Sequence, residues 1–598
     1  MCYVEKSSLS ITRGILVCAI FGFTAPCNKV LLEKMAQSLR HRGPDDSGFW
    51  QSDECSLGLD RLAILDIEGG MQPCVKGGIV SVMNGEIYNF QALREELESL
   101  GYRFSSDHSD AELIPVAYKE WGVDFVCHLE GMFAIAIWDS VLQNLLLVRD
   151  PIGKKPCYYT VENGNVYFAS EIKALLHVKK NHEICEEALY AFLSKKSVAS
   201  PYSIYKDIAQ VPPSTLMIFH KGVLVCEKNY WTPCFDGSLV LASEDEYVKL
   251  ITESLERSVK MRTQMDVEFG AFLSGGIDSS LIATLSAKHT SKQLETFTLV
   301  YEDSIKGKDE DEYFAQIVAD SIGAKRHIYR LGHEEVWSFL PKVLNAFDEP
   351  FSATISPYFL CSLVAKHVKV AMCGDGADEL FGSYFTHRNS AQLDEIKNYQ
   401  LPNALWRKKL TVFSDEELSM MFGKYVSTPE LFSGGAHALT QLHQTLEGEF
   451  CDQLPNQVLK YADRLSMAHS VEIRSPFLDR SFIELVGHIP SSLKIKEQEV
   501  KYILKKVALQ FLPKELVFRP KEGFVLPIWR WMDSVWRERI KETLKMSDIN
   551  VDFGIQQAYV DSLVREWENG ASHHAKIWSL VVLTLWNKER KYGYIRNA

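Results

Sequence analysis

Paired cysteines are missing from this chain. None of its thirteen cysteines forms a CxxC pair or stands at zinc-binding spacing from a histidine. They are spread thinly and read as small buried apolar residues in a reducing cytosol. An excess of positive charge is missing too. The net charge of −13 excludes a broad nucleic-acid-binding face, although local basic pockets for phosphate remain allowed. There is no repeat, heptad run or low-complexity block. Long hydrophobic runs are also absent. The stretch GILVCAIFGFTA at 14–25 follows Lys6 and Arg13 and so resembles a short signal peptide, but it is too short to span a bilayer. Val17 is too bulky for lipoprotein processing at Cys18. A cytoplasmic protein with no membrane and no nucleic-acid partner is expected.

What remains is ordinary soluble composition, 46% apolar and 24% charged, over 598 residues, enough for two to four domains. Residues 18–230 read as strand-rich, with CAIFGF, GIVSVMNGEIYNF, GMFAIAIWD, NLLLVRD and NVYFAS separated by turn residues. Helical patterns interrupt them at Lys29–Arg40 and Phe90–Leu100. Hairpins over 204–231 lead to a linker near 232–242. Ser243, with Glu246 three residues on, then caps a helix carrying Tyr247, Ile251, Leu255 and Val259 on one face. Beyond it VEFGAFL, TFTLVY and VKVAMCG alternate with helical segments, which predicts a parallel sheet covered by helices. From about 390 onward the chain reads as mostly helical.

The most informative run is SGGIDSS, Ser274–Ser280, between a predicted strand and a predicted helix. Such a turn aims backbone N–H groups at an anion. Gly275 and Gly276 allow the tight turn and the close approach of phosphate. Ser274, Ser279 and Ser280 add hydroxyls. Asp278 would repel phosphate unless it holds a Mg²⁺ ion that bridges to it. The lysine of the Walker pattern is missing, which points to cleavage between the α- and β-phosphates of ATP. GDGADE also follows a predicted strand, so both loops are expected on the carboxyl edge of the sheet.

Nine motifs stand in order: HRGPDDSG, NGEIYN, SDAE, GKKPCYY, SGGIDSS, CGDGADELFGSY, DRLSMAHSVEIRSPFLD, KYILKK and RPKEGFVLPIWRWM. In this order the chain resembles glutamine-hydrolysing asparagine synthetase of the bacterial type, from Cys18 to about Trp586. The resemblance implies an α/β two-domain protein: an N-terminal-nucleophile αββα sandwich of antiparallel sheets over 18–230, then a doubly wound parallel-sheet ATP pyrophosphatase domain with a helical C-terminal part over 231–598. Residues 1–17 are then a leader or a mis-assigned start (Val17 is the candidate), or the glutaminase is dead. Cys2 is a poor alternative, because Tyr3 to Lys6 do not continue the family strand.

On this resemblance Cys18 attacks the glutamine amide, with its α-amino group as base. Asn84 and Gly85 form the oxyanion hole. Arg61 clamps the glutamine carboxylate, while Glu86 and Asp110 hold its ammonium. HRGPDD shapes a pocket wall, and His41 is a weak catalytic candidate. ATP lies against Leu273, Ser274, Gly275, Gly276, Asp278, Ser279, Ser280, Leu299, Cys373 and Gly374. Asp278 and Asp378 hold Mg²⁺, Lys501 meets the phosphates, and Asp375 takes the proton from attacking ammonia. Cys373 and Ser383 depart from the commoner serine and glycine of relatives. The substrates implied are glutamine, aspartate and ATP, and a homodimer is expected from the resemblance alone. DEPFSATISP, at 348–357, is expected to shape the acceptor pocket, but another carboxylate acceptor, as in relatives that amidate sugars or peptide precursors or close a β-lactam ring, stays open. A non-catalytic regulator and a transfer-RNA enzyme are the remaining alternatives.

Overall fold

A computed structural model describes residues 18–597 except 44, 180, 303–308, 397–410, 430–437, 520–525 and 546. The leader, and the centre of the RPKEGF motif, lie outside the described residues.

The front of the chain contributes β1 (Ala19–Phe23), β2 (Asp46–Gln51), β3 (Ser56–Arg61), β4 (Cys74–Lys76), β5 (Ile79–Ile87), β6 (Gly131–Asp139), β7 (Asn144–Arg149), β8 (Tyr158–Glu162), β9 (Asn165–Ala169), β10 (Ala209–Gln210), β11 (Thr215–His220) and β12 (Val223–Asn229). They form two six-stranded antiparallel sheets, ordered β10-β8-β9-β1-β3-β2 and β12-β11-β7-β6-β5-β4. The period of two decides how these sheets stack. On β1, Ile20 joins Val80, Val82, Ala134, Ala136, Trp138 and Leu147 in a core between the sheets. Phe21 and Phe23 face the other way, onto a core with Leu32, Met35 and Ile172. On β6 the alternate residues Phe133, Ile135 and Ile137 pack with Phe90, Leu93, Ile114 and Val116 of the opposite helical layer. The result is a four-layer αββα sandwich. The helices Lys29–Leu39 and Phe90–Ser99 form where their apolar spacing predicts them.

The rear sheet contains β13 (Phe269–Phe272), β14 (Glu295–Tyr301), β15 (Lys325–Leu331), β16 (Val370–Met372) and β17 (Glu472–Arg474). All neighbours are parallel, in the order β15-β14-β13-β16-β17. Chain order reverses between β13 and β16, and Ala271 registers with Met372 there. A parallel sheet opens a crevice at such a switch point, beyond the carboxyl ends of the strands. The loops after β13 and β16 are therefore neighbours. Ser243 caps the helix Glu244–Arg262, its side chain accepting from the Glu246 N–H.

Residues 460–474 join the two folds through buried charge. The fully buried Arg42 donates to Glu171 at 2.7 Å and to Asp463 at 2.9 Å. Arg464 meets Glu171 at 2.9 Å, and Lys155 meets Glu472 at 3.1 Å. Removing one partner of a buried ion pair strands the other without water, typically at about 3–5 kcal/mol. Because Arg464 remains on Glu171, Arg42→Met is expected to cost about 3 kcal/mol. This is read as an earlier urea-unfolding midpoint, and an unchanged midpoint would contradict it.

Candidate active site

The first site forms between the two front sheets. Cys18 precedes β1 and shares the parity of Ile20, so it points into the inter-sheet core, against which it packs. Asn84, on β5, has the parity of Val80 and Val82 and lies fully buried on the same side. Ser170 ties them together: its hydroxyl accepts from the Ile20 N–H at 2.9 Å and from the Asn84 amide at 3.5 Å. The Asn84 carbonyl oxygen is buried without a hydrogen-bond partner. Gly85 has φ +139, and a Cβ there would lie 1.9 Å from the Met132 carbonyl oxygen. Only glycine fits this backbone.

Burial pushes the Cys18 thiol up to about 12, against the pull of its backbone hydrogen bond to Leu62. The Leu62 N–H donates to Sγ at 3.2 Å. Cys18 is therefore a thiol at rest, and would need a base to act as a nucleophile. Arg61 spends three hydrogen bonds on the carbonyls of Leu65, Asp66 and Ile67, at 2.7–3.0 Å, and so holds the 65–67 loop. Those bonds use part of its five-donor fork. Glu86 is buried, which raises its pKa well above the usual range against the opposing pull of Arg474, 3.1 Å away. Burial pushes Asp110 up to about 6, although it accepts the Ile87 N–H at 2.9 Å. Two carboxyls that resist ionisation suit a cationic ligand group, which would restore their charge.

The second site is a cavity of about 580 Å³ at the switch point of the parallel sheet. Leu273, Ser274, Gly276, Asp278, Ser279, Leu299, Cys373, Gly374, Asp375, Asp378 and Lys501 all line it. Gly275 and Ser280 do not. Gly275 has φ +70, and a Cβ there would strike the Asp311 carbonyl at 2.7 Å, so it shapes the turn. Ser280 corrects the expectation of a third phosphate-facing hydroxyl. It lies one residue past Ser279 on the helix Ile277–Ala287, turned about 100° into the core and fully buried. Ser279 folds back onto the loop, its hydroxyl 3.0 Å from that of Ser274.

Lys501 begins the helix Tyr502–Ala508 in the left-handed conformation, φ +53, and is almost fully buried. Its ammonium bridges Asp278, at 2.6 Å, and Asp378. Burial opposes its charge, but the two carboxylates more than offset that and raise its pKa. The other Asp278 oxygen is buried with no hydrogen-bond partner, a lone pair directed at no proton of the protein. Two converging carboxylates with an unused oxygen fit a Mg²⁺ ion. Asp375 accepts the Cys373 thiol at 3.1 Å, and Cys373 in turn meets Ser475, to which Lys154 donates. Burial raises the Asp375 pKa, with Lys154 opposing.

Thr354 and Pro357, from the segment expected to shape an acceptor pocket, also line the cavity. Arg388, Gln453, Gln457, Tyr461 and Arg519 line it as well and escaped the sequence reading. Gln453 and Gln457 lie four residues apart in the π-helical stretch Glu449–Val458, but neither belongs to a motif with a chemical rationale.

A half-buried thiol on the side of the inter-sheet core that also holds the Asn84 amide, and a glycine-rich loop with paired carboxylates on another fold, are the features of a glutamine-dependent amidotransferase. Residues 17–231 match the glutamine amidotransferase domain family, and residues 250–588 match the asparagine synthase family. Over 94% of both chains the protein is 31% identical to asparagine synthetase [glutamine-hydrolyzing] 1 of Bacillus subtilis. It is likewise 31% identical, over 93% of both chains, to a putative asparagine synthetase [glutamine-hydrolyzing] of Mycobacterium tuberculosis. A relative named amidase chry2, of Gibberella zeae, is 27% identical over 89% of this chain and 90% of its own. The chain belongs to the asparagine synthase family.

The raised carboxyls have a consequence for stability. The folded-state pKa of Asp110 lies above its ordinary value of 3.8, so the native state binds more protons than the unfolded chain between the two. Stability is then lost as pH rises from about 4 to about 6. Relative to Asp110→Asn, the wild type is expected to lose on the order of 1–3 kcal/mol over that window. Urea unfolding at both ends of it provides the check, and a parallel pH dependence of the two proteins would contradict it.

Proposed function

We propose that this protein amidates aspartate to asparagine with ammonia released from glutamine, through a β-aspartyl-adenylate, with AMP and pyrophosphate as products. The observation that supports this most strongly is the meeting of Asp278, Asp378 and Lys501 around a loop without a Walker lysine, beside the half-buried Asp375. This set neutralises charge at the α- and β-phosphates and supplies no γ-phosphate lysine of the Walker kind.

At the front site, Cys18 attacks the glutamine side-chain amide carbon, and the oxyanion is held by the Asn84 amide and the Gly85 N–H. The thiol proton needs a base, and an α-amino group, with a reference pKa near 7.7–8, is suited to take it and hand it to departing ammonia. That role requires a mature chain starting at Cys18, by removal of the leader or by initiation at Val17. Water then hydrolyses the thioester, releasing glutamate. Arg61 holds the glutamine carboxylate with its remaining donors, and Glu86 and Asp110 hold the ammonium.

At the rear site, an aspartate side-chain oxygen attacks the α-phosphorus, and pyrophosphate leaves. Asp278 and Asp378 would hold Mg²⁺, which when bound supplies charge neutralisation of the phosphates. Lys501 moves from the carboxylates to the phosphates. Ammonia then attacks the acyl carbon, AMP leaves, and Asp375 accepts the proton lost by nitrogen. Its raised pKa suits that duty. Leu273 and Leu299 offer apolar surface to the adenine. The substrates are small molecules, and a cytoplasmic homodimer is the assembly proposed.

A second reading keeps the chemistry and changes the acceptor to another carboxylate. It is favoured by the likeness to a relative that is named an amidase. A panel of carboxylates scored for pyrophosphate release with ATP and glutamine separates the two, and release with a non-aspartate acid alone would overturn the first. Within the main reading, Cys18→Ala is expected to abolish glutamine-dependent synthesis and leave ammonium-dependent synthesis intact. Asn84→Ala is expected to lower glutaminase turnover by about 10²–10³. Lys501→Ala is expected to remove synthesis from either nitrogen source. Loss of ammonium-dependent synthesis in Cys18→Ala would contradict the division of labour.

A further inference from the structure

Near the glutaminase site, but outside it, four side chains from both folds converge. Asp66, Asp107 and His108 come from the front fold, and Asp266 from the rear. One ligand atom from each of Asp66, Asp107 and His108 lies within 4.8 Å of the others. A cation about 2.2 Å from each ligand spans about 4.4 Å between opposite ones, so a small inward shift of these side chains lets one ion reach all three. His108 contacts Asp107 through Nδ1 and Asp266 through Nε2, the latter at 2.8 Å. Asp266 also accepts the Asp66 N–H at 2.7 Å.

Ion pairing within the group leaves two facts unexplained. Three carboxylates face one imidazole, so even a protonated His108 leaves the group with a surplus of negative charge. Asp66 is only 5% exposed, and its Oδ2 is buried with no hydrogen-bond partner, while Oδ1 accepts the Gly69 N–H at 2.9 Å. A buried carboxylate oxygen without a donor is costly unless a cation meets it. Asp107 is open to solvent, its side chain 86% exposed, which gives an ion a way in.

We infer that Asp66, Asp107 and His108, with Asp266 beside them, form a binding site for a divalent transition metal of the Mn²⁺ type. Carboxylate oxygens favour Mg²⁺, Ca²⁺ and Mn²⁺, whereas an imidazole nitrogen favours transition metals, and a mixed set selects the overlap. An ion there holds the 65–67 loop, whose carbonyls bind Arg61, against the rear fold through Asp266. Metal binding does not depend on the amidation reading.

The test is an electron paramagnetic resonance titration of the full chain with Mn²⁺ alone, without nucleotide, following loss of the free-ion signal. Wild type and Asp278→Asn/Asp378→Asn are expected to share one class of bound Mn²⁺ that Asp107→Asn/His108→Asn loses or binds at least about tenfold more weakly. Both residues of that last variant are at least partly exposed, and its metal-free melting temperature is expected to match wild type. Asp66→Asn, nearly isosteric, serves as a second variant and is expected to lose the same class. Equal Mn²⁺ binding by wild type and both of these variants would overturn the site. ATP–pyrophosphate exchange by the Asp107→Asn/His108→Asn variant is expected to persist, so failure here and failure of the adenylation reading are told apart.

Discussion

Two carboxylates and one ammonium, Asp278, Asp378 and Lys501, meet at the carboxyl edge of the parallel sheet, and the rear fold is arranged around that contact. Each comes from a different part of the chain. Asp278 follows β13 and Asp378 follows β16, and the reversal of strand order makes these loops adjacent. Two like charges so close repel unless a cation lies between them. The fold meets that demand by placing Lys501 in a left-handed turn at the start of a helix, nearly out of reach of water. The same arrangement suits the phosphate site proposed above. On the proposed reading, the ammonium would exchange one set of negative oxygens for another when anionic substrate arrives, and the two carboxylates would become available to a metal ion. The unpartnered Asp278 oxygen is the one that a cation would meet first.

The second constraint is the buried charge that joins the folds. Arg474, on β17, pairs with Glu86 of the front site at 3.1 Å and with Glu472 at 2.9 Å. On the next strand, β16, lies the lead-in to Cys373 and Asp375. A single short strand therefore carries the counter-charge of one site and buttresses the other. Lys154 extends this link, donating to Ser475, which meets Cys373. Such a network is costly to bury and is held only when every member is paired. It acts beside a shared apolar core in which Tyr190, Phe192 and Tyr205 of the front fold pack with Phe351, Phe422 and Trp586 of the rear.

The strands that the sequence shows clearly are those in which apolar residues dominate. GMFAIAIWD and NLLLVRD sit between packed layers, and their composition reveals them. The strand Glu472–Arg474 is fully buried yet two of its three residues are charged, because its side chains find ionic partners in other segments. No local pattern carries that information. Lys325–Leu331, an edge strand reading KRHIYRL, hides for the opposite reason, since its polar residues face solvent. The glycine-rich loops and Cys18 were legible because backbone geometry and reactive groups restrict residue type. The cavity wall from Gln453, Gln457 and Tyr461 was not, because any of several side chains fills such a surface. Ser280 misled because adjacency in sequence was read as a shared face, whereas successive helical residues point about 100° apart.

The central claim, that the rear cavity activates a carboxylate by attack on the α-phosphorus, is tested most directly by oxygen transfer. Aspartate labelled with ¹⁸O in its side-chain carboxylate is incubated with ATP and glutamine, and the nucleotide product is weighed by mass spectrometry. One ¹⁸O atom in the phosphoryl group of AMP, at one AMP per amide formed, is the expected result. Label in orthophosphate with ADP as the product, or AMP free of label, would contradict it.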